Sequence, residues 1–142
     1  MRAGRPKGRR RRTRKGQSMK YYTEDHEWVE IRGDEATVGI SADATEQMGD
    51  ITYVELPLED DDVIVGDTLG LIESTENSTN IYSPLSGTIV AVNDELEDDP
   101  VLLNDSPEDK GWICKLTNID DSELDDMMNE TAYQKFLRSL RR

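Results

Sequence analysis

Imidazole and thiol groups, which often act as general bases, nucleophiles and metal ligands, are scarce in this sequence. The 142 residues include one histidine, His26, and one cysteine, Cys114, so neither a multi-histidine nor a multi-thiolate metal site can form on one chain. A Ser-His-Asp triad would depend wholly on His26, and the sequence names no nucleophile beside it. We therefore predict no metal site and no catalytic residue, and we interpret Cys114 as a small buried side chain.

The stretch between Leu71 and Asn93 has the pattern of a protruding hairpin. An apolar strand, Thr68–Glu73, is followed by a polar turn of about six residues and a second strand, Asn80–Ser83. A Pro-x-Ser-Gly corner then leads into Gly87–Asn93, the strongest strand signal in the chain. The turn residues would therefore stand at the exposed apex of the hairpin.

A second hairpin is predicted near the start of the foldable region. It consists of His26–Arg32 and Ala36–Ile40, which flank a Gly-Asp turn. Alternation along the first strand places Trp28 on one face and Val29 and Ile31 on the other.

The helices are predicted to be few and short. Ser41 would cap a helix that ends at Gly49, another helix would run from Ser122 through Met128, and Glu130–Leu140 is amphipathic. Residues 94–111 are predicted to form a loop with one turn of helix. Further strands are predicted at Ile51–Leu56, Val63–Val65 and Trp112–Thr117. Seven or eight short strands, one inserted helix and C-terminal helices predict a mainly β fold, a sandwich or flattened barrel.

Charge is distributed very unevenly along the chain. Residues 1–18 hold nine of the 17 basic residues and none of the 31 acidic ones, so residues 19–142 carry 8 basic and 31 acidic residues, a formal charge of −23. The acidic part should repel nucleic acid and anionic membranes, whereas the basic segment alone should attract them. No apolar run approaches the roughly 20 residues that span a bilayer. We expect a soluble, cytoplasmic protein with no membrane partner.

The chain is predicted to have two parts, residues 1–18 and residues 19–142. The first part has no aromatic or apolar β-branched residue and is predicted to be disordered. Three interpretations of it stay open: a tail for nucleic acid or a membrane surface, a targeting segment, or an extension upstream of Met19 that plays no part in the fold. The second part is long enough for one domain with its own core.

Several separate motifs in residues 21–140 agree with one family. The hairpin is similar to that of lipoyl and biotinyl carrier domains. Together with three further segments, in their order and spacing, it resembles the H protein of the glycine cleavage system. These segments are Tyr22–Val29, Val38–Ile40 with Met48–Pro57, and Pro100–Asn104 with Gly111–Ile113.

The resemblance implies a lipoyl-carrier (hybrid-barrel) fold and a protein with no turnover of its own. In that family, covalent lipoate on a lysine at the hairpin tip carries the aminomethyl group of glycine. Glycine decarboxylase loads the arm, the aminomethyltransferase unloads it, and dihydrolipoamide dehydrogenase reoxidises it. Glu73 and Gly87 stand at positions that the family uses for recognition by lipoate-attaching enzymes. His26 and Glu27, from the His-Glu-Trp segment, are expected on the docking surface.

This sequence departs from the family pattern at the attachment position. The pattern Glu-Ser-Val-Lys-Ala is replaced by Glu73–Asn77, Glu-Ser-Thr-Glu-Asn, so that Glu76 occupies the position of the lysine. No lysine lies between Lys20 and Lys110, so a small shift in alignment does not supply one. A carboxylate has no N–H with which to form the lipoyl amide. We therefore predict no cofactor on this chain.

Two main functions follow from this departure. The first is a non-carrier variant that binds the decarboxylase, the aminomethyltransferase, the dehydrogenase or a lipoate-attaching enzyme through its surface. Thr75, Asn77 and Ser78 also differ from the usual tip, which favours this interpretation. The alternative is an ordinary shuttle whose carrier lysine is lost only in this copy of the sequence. A nucleic-acid-associated role, driven by residues 1–18 alone, is a weaker third hypothesis.

Overall fold

The structure is a computed structural model that describes residues 18–140. Two antiparallel sheets dominate the described part, so the prediction of a mainly β fold is confirmed. Six strands form the larger sheet, in the order β1 Met19–Tyr22, β2 Glu27–Arg32, β3 Glu35–Ile40, β9 Cys114–Thr117, β8 Gly87–Val92 and β5 Asp62–Val63. Three strands form the smaller sheet, in the order β4 Ile51–Glu55, β6 Thr68–Ser74 and β7 Ser78–Tyr82.

Helices connect the strands and close one face of the larger sheet. They are α1 Ala42–Met48, α2 Glu95–Asp98, α3 Leu102–Asp105, a 3-10 helix at Asp121–Asp126 and α4 Glu130–Leu140. The capping prediction for α1 is confirmed: the Ser41 hydroxyl accepts the N–H of Ala44 at 3.2 Å, and Gly49 follows the helix with a positive φ of 84°. None of the helices in the described range is long and apolar enough to cross a membrane. The cytoplasmic location stays a prediction.

The β2–β3 hairpin confirms the alternation expected from the sequence. Val29 pairs with Val38 and faces the main core between the sheets. Trp28 faces the other way and pairs with Gly39, where a Cβ would lie 2.6 Å from the indole ring. On that outer face, Trp28 packs with the residues that seat α4 against the sheet, namely Tyr22, Tyr133 and Leu137.

Several boundaries differ from the sequence prediction. The first strand, β1, was not predicted, and it exists because it pairs along its whole length with β2. Residues 94–111 contain two short helices rather than one turn, and each buries one leucine, Leu96 or Leu103. Ser122 does not cap a helix, because the carboxylate of Asp120 accepts its N–H and begins a 3-10 helix instead. Disorder was predicted for residues 1–18. Residues 1–17 lie outside the described residues, so this stays a prediction.

Candidate functional site

The hairpin of β6 and β7 is present, and its apex carries Glu76. Glu73 on β6 pairs with Ser78 on β7, which leaves only Thr75, Glu76 and Asn77 in the turn. The turn is shorter than the six residues predicted because Ser74 belongs to β6, and Ser78 and Thr79 belong to β7. All three turn residues are exposed, so the structure places residue 76 where a partner protein can reach it.

The backbone of the tip is fixed by groups other than the side chain of Glu76. The hydroxyl of Ser74 accepts the N–H groups of Glu76 at 3.2 Å and Asn77 at 2.9 Å. The N–H of Ser74 donates to the carbonyl of Asn77 at 2.8 Å, and Thr75 donates to the carbonyl of Asp50 at 3.0 Å. The conformation of the turn therefore does not depend on whether residue 76 is an acid or an amine.

No amine side chain belongs to the hairpin. Within residues 18–140, no ion pair forms at Glu76, and the ion pairs that do form lie on the outer face of the larger sheet. There Lys20 binds Glu108 at 3.0 Å and lies 4.6 Å from the ring centre of Trp28. The chemistry available at the tip is thus that of a solvated carboxylate, which accepts hydrogen bonds and binds cations.

Glu73 and Gly87 lie on different sheets, on β6 and β8 respectively. Glu73 is half-buried beside Tyr53 and Ser78, three residues before the apex. Gly87 has a packing role of its own, because a Cβ there would lie 2.6 Å from the carbonyl oxygen of Thr117 on the neighbouring strand. Recognition by an attaching enzyme stays a prediction for both positions.

The two residues expected on a docking surface have different surroundings. His26 is partly exposed in the turn before β2, has a positive φ of 71°, and places its Nδ1 2.8 Å from the hydroxyl of Tyr133. Glu27 is only 3 % exposed, so its expected place on the surface is wrong. Its carboxylate accepts the hydroxyl of Thr23 at 2.9 Å and the N–H of Tyr82 at 3.3 Å.

The environment of Glu27 favours its protonated form. Burial raises the pKa of the Glu27 carboxyl from 4.5 to about 7, and the nearby charge of Asp25 acts in the same direction. The hydrogen bonds from Thr23 and from the backbone of Tyr82 oppose this rise without cancelling it. Glu27 therefore titrates near neutral pH inside the protein.

A groove of about 390 Å³ runs beside the hairpin tip and was not predicted from the sequence. Its walls are the edge of β7 with the adjoining Asn77, the helix α1, and the turn that contains Asp25 and His26. Ile40 and Met48 contribute apolar surface, while Asp25, Glu27 and Asp43 contribute carboxylates. The groove escaped the sequence analysis because its walls come from three separate segments. Within residues 18–140, no group of three or more potential metal ligands was found.

Comparison with known proteins identifies the class first. A solved structure of a glycine cleavage system H protein from Mycobacterium marinum is similar to this chain with a TM-score of 0.74 and 31 % identity, over 82 % of this chain and 94 % of that one. The fold is therefore the lipoyl-domain-like sandwich that the sequence predicted.

Sequence comparison then gives the particular family. The family model described as "Glycine cleavage H-protein" matches residues 20–140. The glycine cleavage system H protein of Thermotoga maritima is 47 % identical over 118 residues, which cover 83 % of this chain and 95 % of that protein. The Xanthobacter autotrophicus H protein is 47 % identical over 119 residues, covering 84 % and 95 %. This chain belongs to the glycine cleavage H-protein family, a family of non-catalytic carriers.

Proposed function

We propose that this chain is an H-protein homologue that carries no lipoate and acts by binding. Its partner would be one of the proteins that serve the family: glycine decarboxylase, the aminomethyltransferase, dihydrolipoamide dehydrogenase or a lipoate-attaching enzyme. It would serve as a scaffold, a competitor or a regulator of the lipoylated carrier. The observation that carries the proposal is Glu76 at the exposed apex of the hairpin, where the resemblance to the family leads us to expect the lysine.

The chemical reason is the absence of a nucleophilic nitrogen. Lipoate is joined to its carrier through an amide, which needs an amine that can attack the activated carboxyl group. Glu76 presents a carboxylate of the opposite charge, and no lysine lies between Lys20 and Lys110. The long lysine stem, which contributes to the reach of a lipoyl arm, is also missing.

The retained frame around the tip supports a binding role. Ser74 holds the turn through its hydroxyl, and Glu73 keeps its place in the β6 ladder. Since the turn does not need a lysine, a chain without one still presents the same backbone to a partner. The polar, exposed side chains of Thr75, Asn77 and Ser78 give this tip a surface unlike the usual one.

A second candidate is the ordinary lipoyl shuttle, and the 47 % identity to curated H proteins favours it. In this case the lysine would be lost only in this copy of the sequence. Sequencing codon 76 of the gene in its source organism decides between the two. A lysine codon would support the shuttle, and a glutamate codon would support the non-carrier.

Binding measurements on the purified chain test the proposal. Each of the four proteins, from the same source organism, is titrated against the full chain by calorimetry. We expect saturable binding to at least one, with an affinity that a charge reversal at the tip, Glu76→Lys, changes at least tenfold. The matched control is Glu97→Lys, a reversal at an exposed residue of α2, which should leave the affinity unchanged. No binding to any of the four would overturn the proposal.

A further inference from the structure

Two neighbouring turns, one on each side of β5, expose aliphatic side chains. Leu58 is 70 % exposed, Ile64 66 % and Val65 47 %, and the first two are the most exposed large hydrophobic residues in the described range. Single exposed apolar residues are common on soluble proteins, whereas a group of them often marks an interaction site. We call Leu58, Ile64 and Val65 the two-turn patch.

The backbone of the second turn is held by hydrogen bonds. The N–H of Asp67 donates to the carbonyl of Ile64 at 2.9 Å, and the carboxylate of Asp67 accepts the N–H of Ile64 at 2.9 Å. The N–H of Val65 donates to the hydroxyl of Ser86 at 2.9 Å. Because the turn is already ordered, a partner that binds its side chains does not have to order this backbone.

The two turns are close enough to contact one partner together. The N–H of Asp61 donates to the carbonyl of Leu58 at 3.4 Å and closes the first turn, and the two residues of β5 then lead to Ile64. A turn spans less than about 7 Å, and three steps along a strand span about 10 Å. The Cα atoms of Leu58 and Ile64 therefore lie within about 17 Å of each other. A helix of about 14 residues, roughly 21 Å long, is long enough to contact both.

Acidic side chains border the patch. Glu59, Asp60 and Asp61 lie between Leu58 and Ile64 in the sequence, and all three are exposed. Within the part of the chain that the structure describes, none of the three forms an ion pair. Residues 33–109 contain neither lysine nor arginine. An aliphatic surface bordered by unpaired carboxylates is complementary to aliphatic side chains bordered by lysine or arginine.

The same charge disfavours three other occupants. A second copy of the chain that used the same patch would bring two acidic loops together. Nucleic acid and anionic membranes carry charge of the same sign as the loop and would be repelled. A protein partner with a basic, partly apolar surface is therefore the occupant for which both parts of the patch are complementary.

The patch lies away from the hairpin apex. The second turn ends at Asp67, directly before β6, and the apex follows directly after β6. The seven residues of β6 span roughly 20 Å. A partner bound to the patch would leave the side chain of Glu76 accessible.

We propose that the two-turn patch binds a basic amphipathic helix of another protein. Aliphatic side chains of that helix pack on Leu58, Ile64 and Val65, and the lysines or arginines beside them reach the three acids of the first turn. Binding there attaches the chain to its partner while the hairpin apex stays free. This inference does not depend on the proposed function, because it concerns a surface at the other end of β6.

Titration of the ¹⁵N-labelled full chain with two synthetic peptides tests the proposal. Each peptide has about 14 residues, namely six leucines and eight lysines, and is long enough to span the patch. One peptide places all leucines on one face of a helix, and the other has the same composition in scrambled order. At about 150 mM NaCl, where distant charges are screened, we expect saturable shifts of the amide signals of Leu58, Ile64 and Val65. The amphipathic peptide should bind at least tenfold more tightly than the scrambled one.

A first pair of variants tests the apolar contacts. Leu58→Ser combined with Ile64→Ser should weaken binding of the amphipathic peptide at least fivefold. Its matched control is Val101→Ser combined with Leu140→Ser, which removes two exposed aliphatic side chains outside the patch. The control should change the affinity less than twofold.

A second pair of variants tests the charged contacts. The loop variant neutralises the three acids of the first turn: E59Q, D60N and D61N. Asparagine tolerates the positive φ of 74° at position 60. The matched control neutralises the same residue types in an exposed stretch of the chain: E97Q, D98N and D99N. The loop variant should weaken binding at least threefold more than this control.

Four results would overturn the proposal. Equal affinity for the two peptides would show that charge alone attracts them. Shifts confined to other elements, such as α1 and β7 in the groove beside the hairpin, would place the binding site elsewhere. An absence of saturable binding, or equal losses in both variants and their matched controls, would show that the patch is not a docking surface.

Discussion

The carboxylate of Glu27 accepts the backbone N–H of Tyr82 at 3.3 Å and thereby joins the two sheets. Glu27 begins β2 in the larger sheet, and Tyr82 ends β7, the outer strand of the carrier-type hairpin. The residues are 55 positions apart in sequence. A buried acid therefore helps to hold the hairpin against the rest of the fold.

The stability of the protein should depend on pH through Glu27. Since the pKa of Glu27 is raised to about 7 in the folded state, the folded chain retains a proton that the unfolded chain loses above about pH 4.5. The free energy of unfolding should therefore fall as the pH rises from 4.5 to 7, by at most about 3 kcal/mol from this group. Glu27→Gln keeps a neutral hydrogen-bond acceptor and should remove this part of the slope.

Denaturant unfolding at pH 5.5, 7.0 and 8.5 measures this effect as the difference between the variant and the parent chain. The matched control is Glu24→Gln, an exposed acid in the same turn, which should follow the parent at every pH. Parallel pH profiles for Glu27→Gln and the parent would show that Glu27 is not the titrating group.

The hydroxyl of Tyr133 should stabilise the attachment of α4. It lies 2.7 Å from the hydroxyl of Ser41 and 2.8 Å from Nδ1 of His26, and the residue is 2 % exposed. Tyr133→Phe preserves the aromatic ring, whose centre lies 4.4 Å from that of Tyr22 in a stacked arrangement. It removes the hydroxyl, so Ser41 and His26 each lose a hydrogen bond. We expect a loss of about 1–2 kcal/mol in the free energy of unfolding. Tyr53→Phe, at a half-exposed tyrosine, should change it by less than about 0.5 kcal/mol; equal effects would contradict the role given to Tyr133.

Gly87→Ala should destabilise the chain whether or not any enzyme recognises this position. The added methyl group would lie 2.6 Å from the carbonyl oxygen of Thr117, so β8 and β9 would have to separate. We expect a loss of about 1–3 kcal/mol, measured by denaturant unfolding. Val90→Ala, on the exposed face of the same strand, should cost less than about 1 kcal/mol. If Gly87→Ala left the free energy of unfolding unchanged, packing would not explain the glycine at this position. Recognition by a lipoate-attaching enzyme would then be the better explanation.

The elements with strong local signals could be predicted from the sequence. Alternation in β2 placed Trp28 and Val29 on opposite faces, and Ser41 with Gly49 marked both ends of α1. The four-residue strand β1 could not be predicted, because pairing with β2 rather than local pattern stabilises it. The exposed apex at Glu76 was predicted, since a polar stretch between two apolar strands indicates a turn.

The burial of Glu27 shows where sequence reasoning was incomplete. The same alternation puts Glu27 on the inner face with Val29 and Ile31, so a signal for its burial was present. Its partner, the N–H of Tyr82, is contributed by a distant strand, and no local pattern reveals it. The groove was missed for the same physical reason, because tertiary packing alone brings its walls together.

The central claim is that Glu76 leaves lipoate no amine to bond to, while the frame that presents residue 76 is intact. Intact-mass spectrometry tests both halves after co-expression of the chain with a lipoate-attaching enzyme and lipoate. The parent chain and the Glu97→Lys control should keep their unmodified masses, and Glu76→Lys should gain the mass of one lipoyl group. A lipoyl group found on the parent chain would contradict the claim, and an unmodified Glu76→Lys would show that the frame is not competent.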